Sequence, residues 1–332
     1  MRYVILGAGA IGATIGGRLA EAGCRVTLVG RGQHATAVKQ NGLLLAMPDR
    51  TVRLAVEMLT LDELRLHPDD VLFLAVKSQD TAALLNQLTA VPVDGAAGDT
   101  AVFCAQNGVA NEDVMLRYSS RVYGVCVSIP ATHLEPGVVE SSGTPVGGVM
   151  QLGRYPAGTD DLVSAVASDL NRSGFRAGGR ADVMAWKRAK LLSNLMNALQ
   201  VLCVGGYEWR AGNDGAIGTV VSRMRAEAMA CFEAAHLPVI AADQFRAEAG
   251  GFQIAAVNGR SRGGGSTWQS VERGLPSVET DFLNGEIVRL GRLLDVPTPV
   301  NAAVTLRMRE ITSRSLAPRT LDPAELLEPV PG

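Results

Sequence analysis

The sequence predicts an α/β fold, in which a doubly wound parallel sheet is followed by an all-helical C-terminal domain. In the first half, short Val, Ile and Leu runs alternate with helical stretches, a pattern typical of parallel strands joined by crossover helices. After about residue 181 the strand signals fade and long amphipathic helices dominate. The length of 332 residues also exceeds the usual size of a domain with a single hydrophobic core, which favours two domains.

The predicted elements divide between these two domains. The first half has predicted strands at 2–6, 25–29, 71–76, 101–105 and 122–127, with short extensions at 137–142 and 149–153 and a closing helix at 160–171. Predicted helices of the second half cover 182–204, 216–236, 241–257 and 278–294. We therefore expect domains at 1–178 and 179–318, and a Pro-rich tail at 319–332 with little to pack.

The composition argues against several classes of protein. The 31 basic and 33 acidic residues leave a net charge of -2, so neither nucleic acid nor an anionic membrane surface is indicated as a partner. The apolar stretch 191–204 is too short to span a bilayer, and the apolar run 3–6 is too short for a signal peptide. Five widely spaced cysteines without a C-x-x-C pair indicate free thiols rather than a metal site. We therefore expect a cytoplasmic protein that acts on a small molecule.

A glycine-rich turn, Gly7-Ala8-Gly9-Ala10-Ile11-Gly12, follows the first predicted strand and opens a helix. Gly7 permits a tight turn, Gly9 lets the backbone approach a pyrophosphate, and Gly12 lets helix and strand pack closely. Ala10 and Ile11 begin the helix, whose N-terminus attracts negative charge. A chance glycine-rich turn is the alternative, but the complete strand–helix–strand unit favours a Rossmann-like dinucleotide site, with Gly7, Gly9, Ala10, Ile11 and Gly12 as its residues.

The end of the second predicted strand indicates which dinucleotide binds. NAD enzymes usually place an acidic residue there, whereas this chain reads Leu28-Val29-Gly30-Arg31-Gly32 with no carboxylate expected in reach. The planar guanidinium of Arg31 suits a 2′-phosphate, which favours NADPH/NADP+ as cofactor. Lys77 is a candidate second cation near the same phosphate or ribose. For both residues the alternative is an ordinary solvated side chain.

One predicted helix of the second half carries polar residues along a single stripe. Lys190, Asn194 and Asn197 stand at offsets of four and seven residues, so they project from one face. An ammonium and two carboxamides are costly to bury without partners, so they should line a polar cleft, unless the helix simply has one wet face. Lys187 is expected to be a solvated or phosphate-attracting cation, whose replacement by Ala retains most activity.

Further candidates lie outside that helix. Glu279 is a carboxylate that could orient Lys190 and stabilise its ammonium, or a first-turn residue favoured by the helix dipole. Ser266 and Thr267 lie in the loop that precedes it. Asn107 comes just after the predicted strand 101–105, at the sheet edge where doubly wound folds bind ligands, although Asn-Gly alone usually marks only a turn.

Taken together, these segments resemble the ketopantoate reductase (2-dehydropantoate 2-reductase) family over nearly the whole chain. The resemblance rests on six motifs in the family's order: GAGAIG at 7–12, Arg31, VKSQDT at 76–81, QNGV at 106–109, the Lys190 and Asn194 pair, and ETDFLNG at 279–285. It implies NADPH-dependent reduction of ketopantoate to pantoate, a step of pantothenate biosynthesis. Reduction of a different 2-keto acid, ketone or imine, and non-catalytic NADPH binding by a regulatory protein, are the alternatives.

The resemblance also implies roles for individual residues. Lys190 would be the general acid for the substrate carbonyl, with Glu279 as its charged partner and a substrate contact. Asn107 would lie at the nicotinamide end of the cofactor, and Asn194 would bind substrate. The substrate carboxylate would be held by Ser266 or Thr267.

The sequence departs from the family pattern near this site. Asn197 falls three residues after Asn194, where the family usually has four, which puts its substrate contact in doubt. The interval from the serine loop to Glu279 is one residue longer than usual, so Ser266 and Thr267 remain competing candidates. The oligomeric state is left open, with a homodimer as one alternative.

Overall fold

The structure is a computed structural model that describes residues 1–94, 99–133, 135–204, 215–261, 265, 267, 268, 271, 278–314 and 317–328. Its internal contacts divide the chain into two compact units. The first consists of Met1–Gln106, Ala110–Lys187 and Ala241–Arg262, and the second of Asn107–Val109, Arg188–Ile240 and Gly263–Gly332.

The first unit contains all the strands in the described part of the chain. They are β1 (Arg2–Leu6), β2 (Arg25–Val29), β3 (Leu43–Ala46), β4 (Thr51–Leu54), β5 (Glu57–Leu59), β6 (Asp70–Leu74), β7 (Ala101–Cys104), β8 (Val122–Ser128), β9 (Ala131–Thr132), β10 (Val138–Ser141), β11 (Gly143–Thr144), β12 (Val149–Arg154), β13 (Arg176–Gly179) and β14 (Gln253–Ile254). The accompanying helices are α1 (Ala10–Glu21), α2 (Gly32–Asn41), α3 (Thr81–Leu88), α4 (Asn111–Met115) and α5 (Asp161–Arg172). The helix α6 (Val183–Asn194) begins in this unit.

The main sheet has the order β13-β12-β8-β7-β6-β1-β2-β5. β1 runs parallel to both of its neighbours, with Ile5 opposite Leu28 on β2 and Phe73 on β6. The chain therefore extends the sheet first to one side of β1 and then to the other, which makes the gap between β1 and β6 a topological switch point. The carboxyl ends of β1, β2, β6 and β7 share one edge of the sheet, where ligands of such folds bind.

Apolar residues on both faces of the central strands form the core of the first unit. β6 is buried along its whole length, as is β7, which is the expected pattern for parallel strands covered on both sides. Phe103 stacks between Phe73 and Tyr123 of the neighbouring strands, with ring centroids 5.3 and 4.4 Å apart. These contacts join three parallel strands beneath the ligand-binding edge.

The second unit is built from helices, in agreement with the predicted fold class. Its described helices are the C-terminal part of α6, α7 (Leu199–Leu202), α8 (Gly215–Ala234), α10 (Asn284–Leu294) and α11 (Pro299–Arg314), and their buried apolar faces form one core. Short 3₁₀ turns lie at Leu195–Asn197, Glu279–Phe282 and Pro323–Leu327. Within the described residues, no helix is both long enough and apolar enough to cross a membrane.

Two of the predicted helices end much earlier in the structure, and the helix expected at 278–294 begins later, at Asn284. The helix expected at 182–204 is interrupted after Asn194 by a 3₁₀ turn, where the side chain of Asn284 donates to the carbonyl of Leu195 at 3.1 Å. The helix expected at 241–257 ends much earlier, as α9 (Ala242–Glu248), and is followed by Gly250 and Gly251, the latter with φ of +72°. Glycine readily adopts this conformation and ends the helix. β14 then pairs with β11, so this segment belongs to the first unit.

The prediction that the tail has little to pack is wrong for its described part. Leu326 is 1% exposed and belongs to the core of the second unit. The backbone N–H of Arg319 donates to the carbonyl of Val201 at 2.7 Å, and that of Leu321 to the carbonyl of Leu202 at 3.1 Å. Apolar residues spaced between the prolines therefore anchor the tail, a signal that the proline content obscured. The helix α11 was also not predicted.

Candidate active site

The glycine-rich turn has the geometry of a pyrophosphate cradle. Gly7 has φ of +105°, and a Cβ there would lie 2.6 Å from the backbone nitrogen of Val76. A Cβ on Gly12 would overlap the carbonyl oxygen of Gly7, whereas one on Gly9 would meet nothing within 4 Å. Gly9 caps α1, which begins with Ala10 and Ile11 and has neither a capping side chain nor an acidic residue in its first turn. The N–H groups of that turn are thus available to an anionic ligand, so the turn fits a dinucleotide.

Arg31 lies at the N-terminus of α2, and its side chain is 91% exposed. No acidic residue follows β2, but Asp80, which comes from another part of the chain, places an oxygen 4.0 Å from the guanidinium. Asp80 follows β6 rather than β2, so the sequence around Arg31 gave no sign of it. An exposed ion pair at this distance contributes little, and the guanidinium can leave it for a phosphate. Lys77 lies immediately before the 3₁₀ turn that contains Asp80.

A buried hydrogen-bond network connects the loops that follow β6 and β7. The hydroxyl of Thr81 donates to Asn111 and accepts from the amide of Gln106, both at 2.8 Å. Asn111 in turn donates to the hydroxyl of Ser78 at 3.0 Å. All four side chains are at most 4% exposed. The two family-like segments at 76–81 and 106–109 are therefore linked through groups that sequence reasoning missed.

Lys187 is not the solvated cation that the sequence suggested. Its side chain is 2% exposed, and its ammonium forms an ion pair with Glu112, whose side chain is fully buried. The same Nζ donates to the carbonyls of Gln106 at 3.0 Å and Cys104 at 3.3 Å. These partners lie far away in the sequence, so neither spacing nor helical periodicity revealed the burial of Lys187.

The second unit brings Asn107 and Asn194 into direct contact. The amide of Asn194 donates to the side-chain oxygen of Asn107 at 3.0 Å, and Asn194 is 6% exposed. Lys190 lies one turn earlier on α6 and is half-buried. Asn197 is also half-buried but lies in the 3₁₀ turn after α6, so it does not continue the α-helical stripe.

Glu279 is 8% exposed and begins the 3₁₀ turn Glu279–Phe282, which is separate from α10. The Asn107-Gly108 turn packs against the backbone of this segment. Gly108 has φ of +82°, and a Cβ there would lie 2.9 Å from the carbonyl oxygen of Phe282. The structure therefore assembles Asn107, Asn194 and the turn that carries Glu279 within one unit.

Only part of the predicted carboxylate-binding loop can be placed. Ser266 lies outside the described residues, and Thr267 is 3% exposed. Gly265, next to Ser266, donates its backbone N–H to the side chain of Gln200 at 3.0 Å. A Cβ on Gly265 would lie 3.5 Å from the side-chain oxygen of Asn197. Gly265 thus lies close to the 3₁₀ turn that follows α6.

A second buried network supports the 3₁₀ turn that follows α6. Asn284 donates to the carbonyl of Leu195 and to the side chain of Asn301, both at 3.1 Å. Asn301 donates to Glu227 at 2.6 Å, and Glu227 also accepts the backbone N–H of Val300 at 2.8 Å. Both asparagines are at most 1% exposed. This network fixes the turn after Asn194, and sequence reasoning did not identify it.

Family models match both halves of the chain. The model described as "Ketopantoate reductase PanE/ApbA" matches residues 3–157, and its C-terminal counterpart matches residues 182–312. The chain belongs to the ketopantoate reductase family. The resemblance inferred from the sequence motifs and the predicted fold class are therefore confirmed. Family membership identifies the chain as a pyridine-nucleotide-dependent oxidoreductase of the ketopantoate reductase type.

Individual relatives agree with this assignment over nearly full length. A 2-dehydropantoate 2-reductase of Pyrococcus horikoshii is 28% identical, over 91% of this chain and 94% of the relative. The crystal structure of a PanE/ApbA family ketopantoate reductase from Ralstonia eutropha JMP134 is 26% identical with a TM-score of 0.77, covering 95% of this chain and 99% of that one. D-mandelate dehydrogenase, solved with NADH and anilino(oxo)acetate, shares the fold with a TM-score of 0.77 at 20% identity and the same coverage.

Proposed function

We propose that this ketopantoate reductase family member reduces the C2 carbonyl of a small 2-keto acid with NADPH, and that its reaction is ketopantoate to pantoate. The observation that carries the proposal is the hydrogen-bonded pair Asn107 and Asn194, which lies one helical turn from the half-buried Lys190. An amide pair beside an ammonium supplies donors for a carbonyl that gains negative charge. The names of the curated relatives support the choice of substrate.

The coenzyme proposal rests on residues of the first unit. Gly7, Gly9 and Gly12 with the first turn of α1 would hold the pyrophosphate. Arg31 would bind the 2′-phosphate, exchanging its weak contact with Asp80 for a charge-assisted pair, and Lys77 would add a second positive charge. NADPH, when bound, supplies a hydride to the carbonyl carbon.

The remaining steps belong to side chains of the second unit. Lys190 would donate a proton from its ammonium to the carbonyl oxygen as negative charge develops there, and would regain a proton from solvent afterwards. The buried Glu279 would stabilise the charged form of Lys190 and contact substrate. Asn107 would orient the nicotinamide end of the cofactor and the substrate carbonyl.

The substrate would be held by polar groups around the end of α6. Asn194 and Asn197 would donate to its oxygen atoms, and Ser266 or Thr267 would bind its carboxylate. In this proposal residues 1–178 form the coenzyme domain and residues 179–318 the substrate domain.

A steady-state screen of the full-length chain tests the proposal. NADPH oxidation would be followed with ketopantoate and with a panel of other 2-keto acids, ketones and imines, and NADH would serve as the matched cofactor control. We expect the highest kcat/KM for ketopantoate with NADPH. Turnover of another carbonyl compound but not of ketopantoate would refute ketopantoate as the substrate. Tight NADPH binding without any turnover would refute the reductase assignment.

A further inference from the structure

We propose that Lys187, paired with Glu112, is a positioning residue that holds both flanks of the loop carrying Asn107. The inference rests on the proposed reduction, for which Asn107 is a catalytic-site residue. Unlike Lys190, Lys187 contributes no proton to the reaction in this proposal, and it acts through the backbone on either side of Asn107.

One ammonium contacts both ends of this loop. Before Asn107, Nζ of Lys187 donates to the carbonyls of Cys104 and Gln106 at 3.3 and 3.0 Å. After Asn107, it forms the ion pair with Glu112 at the beginning of α4. A lysine ammonium has three N–H donors, and these three partners match that number. The loop from Gln106 to Glu112 is thereby fixed to the first turns of α6.

Because these groups are buried, losing any one of the contacts costs stability. The side chain of Glu112 is 0% exposed, and in the described part of the chain its carboxylate has no polar partner besides the ammonium of Lys187. Lys187 therefore supplies the compensating charge, and a buried carboxylate without one is strongly unfavourable. Glu112 in turn keeps the ammonium in place beneath the two carbonyls.

The contacts also explain why this lysine supports rather than performs the chemistry. Lys187 is 2% exposed, so its ammonium is enclosed by the protein groups that it contacts. The other end of the same helix contacts the tip of the loop, since Asn194 donates to Asn107 at 3.0 Å. Lys187 and Asn194 are seven residues apart and project from nearly the same face of α6. The helix thus fixes the flank of the loop with Lys187 and its tip with Asn194.

The first experiment replaces the ion pair with apolar side chains in the variant Lys187→Met/Glu112→Leu. Removing both charges together avoids an isolated buried charge, while the carbonyls of Cys104 and Gln106 lose their donor. We expect kcat for the keto acid to fall about tenfold or more, because small displacements of a positioning group cost up to about 100-fold. The dissociation constant for NADPH should change less than about twofold.

A double-mutant cycle with Asn107→Ala separates positioning from general destabilisation. If Lys187 acts through Asn107, the apolar pair should lower kcat no further once Asn107 is already Ala, because coupled residues are not additive. Leu170→Ala, which creates a cavity in α5 of the same unit, serves as a destabilised control with parental kcat. Additive losses, or a parental kcat in the Lys187→Met/Glu112→Leu variant, would overturn the proposal.

A second pair of substitutions covers the case in which the apolar pair does not fold. Lys187→Gln/Glu112→Gln keeps amide donors for the two carbonyls without a buried charge, and should recover most of the lost turnover. If the apolar pair folds, a kcat of Lys187→Gln/Glu112→Gln no higher than that of the apolar pair would contradict a role through the carbonyls. If the apolar pair does not fold, a kcat of Lys187→Gln/Glu112→Gln about tenfold or more below the parent would contradict it, because this variant keeps the donors to the two carbonyls.

Hydrogen exchange provides a readout that does not depend on the substrate. The backbone amides at 105–111 should exchange faster in Lys187→Met/Glu112→Leu than in the parent and in Leu170→Ala. If the parent reduces no keto acid, the proposed function fails, whereas this measurement still tests whether Lys187 and Glu112 hold the loop. Unchanged exchange at 105–111 would refute that positioning role.

Discussion

Replacing each of the two lysines of α6 should affect a different property: turnover for Lys190 and stability for Lys187. For Lys190→Gln we expect kcat to fall at least about 100-fold, as when a positioned general acid is lost, which corresponds to about 2.7 kcal/mol of transition-state stabilisation. Because Lys190 is only half-buried, the melting temperature should stay within a few degrees of the parent, and NADPH affinity should be nearly unchanged.

Lys187→Met should instead act on stability. It leaves the carboxylate of Glu112, which is 0% exposed, without its counter-charge, and breaking a buried pair in this way costs about 3 to 5 kcal/mol. At about 2 to 4 °C per kcal/mol, the melting temperature should fall by about 6 to 20 °C. This replaces the expectation that Lys187→Ala keeps most activity, which assumed a solvated side chain.

The assay combines thermal unfolding of each variant with turnover measured well below both transitions. Glu112→Leu added to Lys187→Met should restore most of the lost melting temperature, since the isolated charge is removed. A parental melting temperature for Lys187→Met would contradict the buried ion pair. Full activity of Lys190→Gln would refute the proposal that Lys190 is the general acid. It would not affect the fold or the positioning role proposed for Lys187 and Glu112.

Further predictions concern the cofactor, the tail and pH. Arg31→Ala should weaken NADPH binding about tenfold or more, as expected from about 1.5 to 3 kcal/mol for a charged contact, with NADH binding nearly unchanged in titrations of the same samples. Asp80→Asn should strengthen NADPH binding by removing a carboxylate that competes for Arg31, and a weaker affinity would exclude that competition. Leu326→Ala should lower the free energy of unfolding by about 2 to 5 kcal/mol in denaturant melts, and a clearly smaller loss would contradict the packing of Leu326 in the core of the second unit. Burial lowers the pKa of His34, although its backbone hydrogen bond with Ala8 opposes the shift. Because the folded-state pKa lies below the unfolded value of about 6.5, the neutral form stabilises the fold at higher pH, and this contribution is lost as pH falls from about 6.5 through the folded pKa. His34→Asn should flatten that part of the stability–pH curve, and an unchanged curve would exclude His34 as its source.

Local signals were sufficient to predict much of the first unit. The bounds of β1 and β2 agree with the prediction, and α5 differs by a single residue at each end, because strand alternation and helix caps are encoded within a few residues. The glycine-rich turn was predictable for the same reason. The second unit was harder, since its helix breaks depend on distant partners such as Asn284, which accounts for the interruption after Asn194.

The buried network between Ser78, Thr81, Gln106 and Asn111 depends on sheet topology. None of these residues is close to its partners in sequence, but the loops after β6 and β7 meet because those strands are parallel neighbours. A prediction of strand order would have placed the four polar side chains together. Their polarity at the ends of buried strands was the available signal, and a correct order of β6 and β7 was the missing step.

The role of Lys187 shows where helical periodicity stops being informative. At 100° per residue, Lys187 lies only about 20° from Asn194 around the helix, closer than Lys190 at about 40°. Periodicity alone therefore places all three residues on one stripe and cannot distinguish the catalytic candidate from the buried one. The distinction comes from what each turn of the helix meets: Lys187 contacts the carbonyl of Gln106, and Asn194 contacts the side chain of the next residue, Asn107. Lys190 lies between these two contacts along α6, so its side chain extends from a part of the helix that is anchored on both sides.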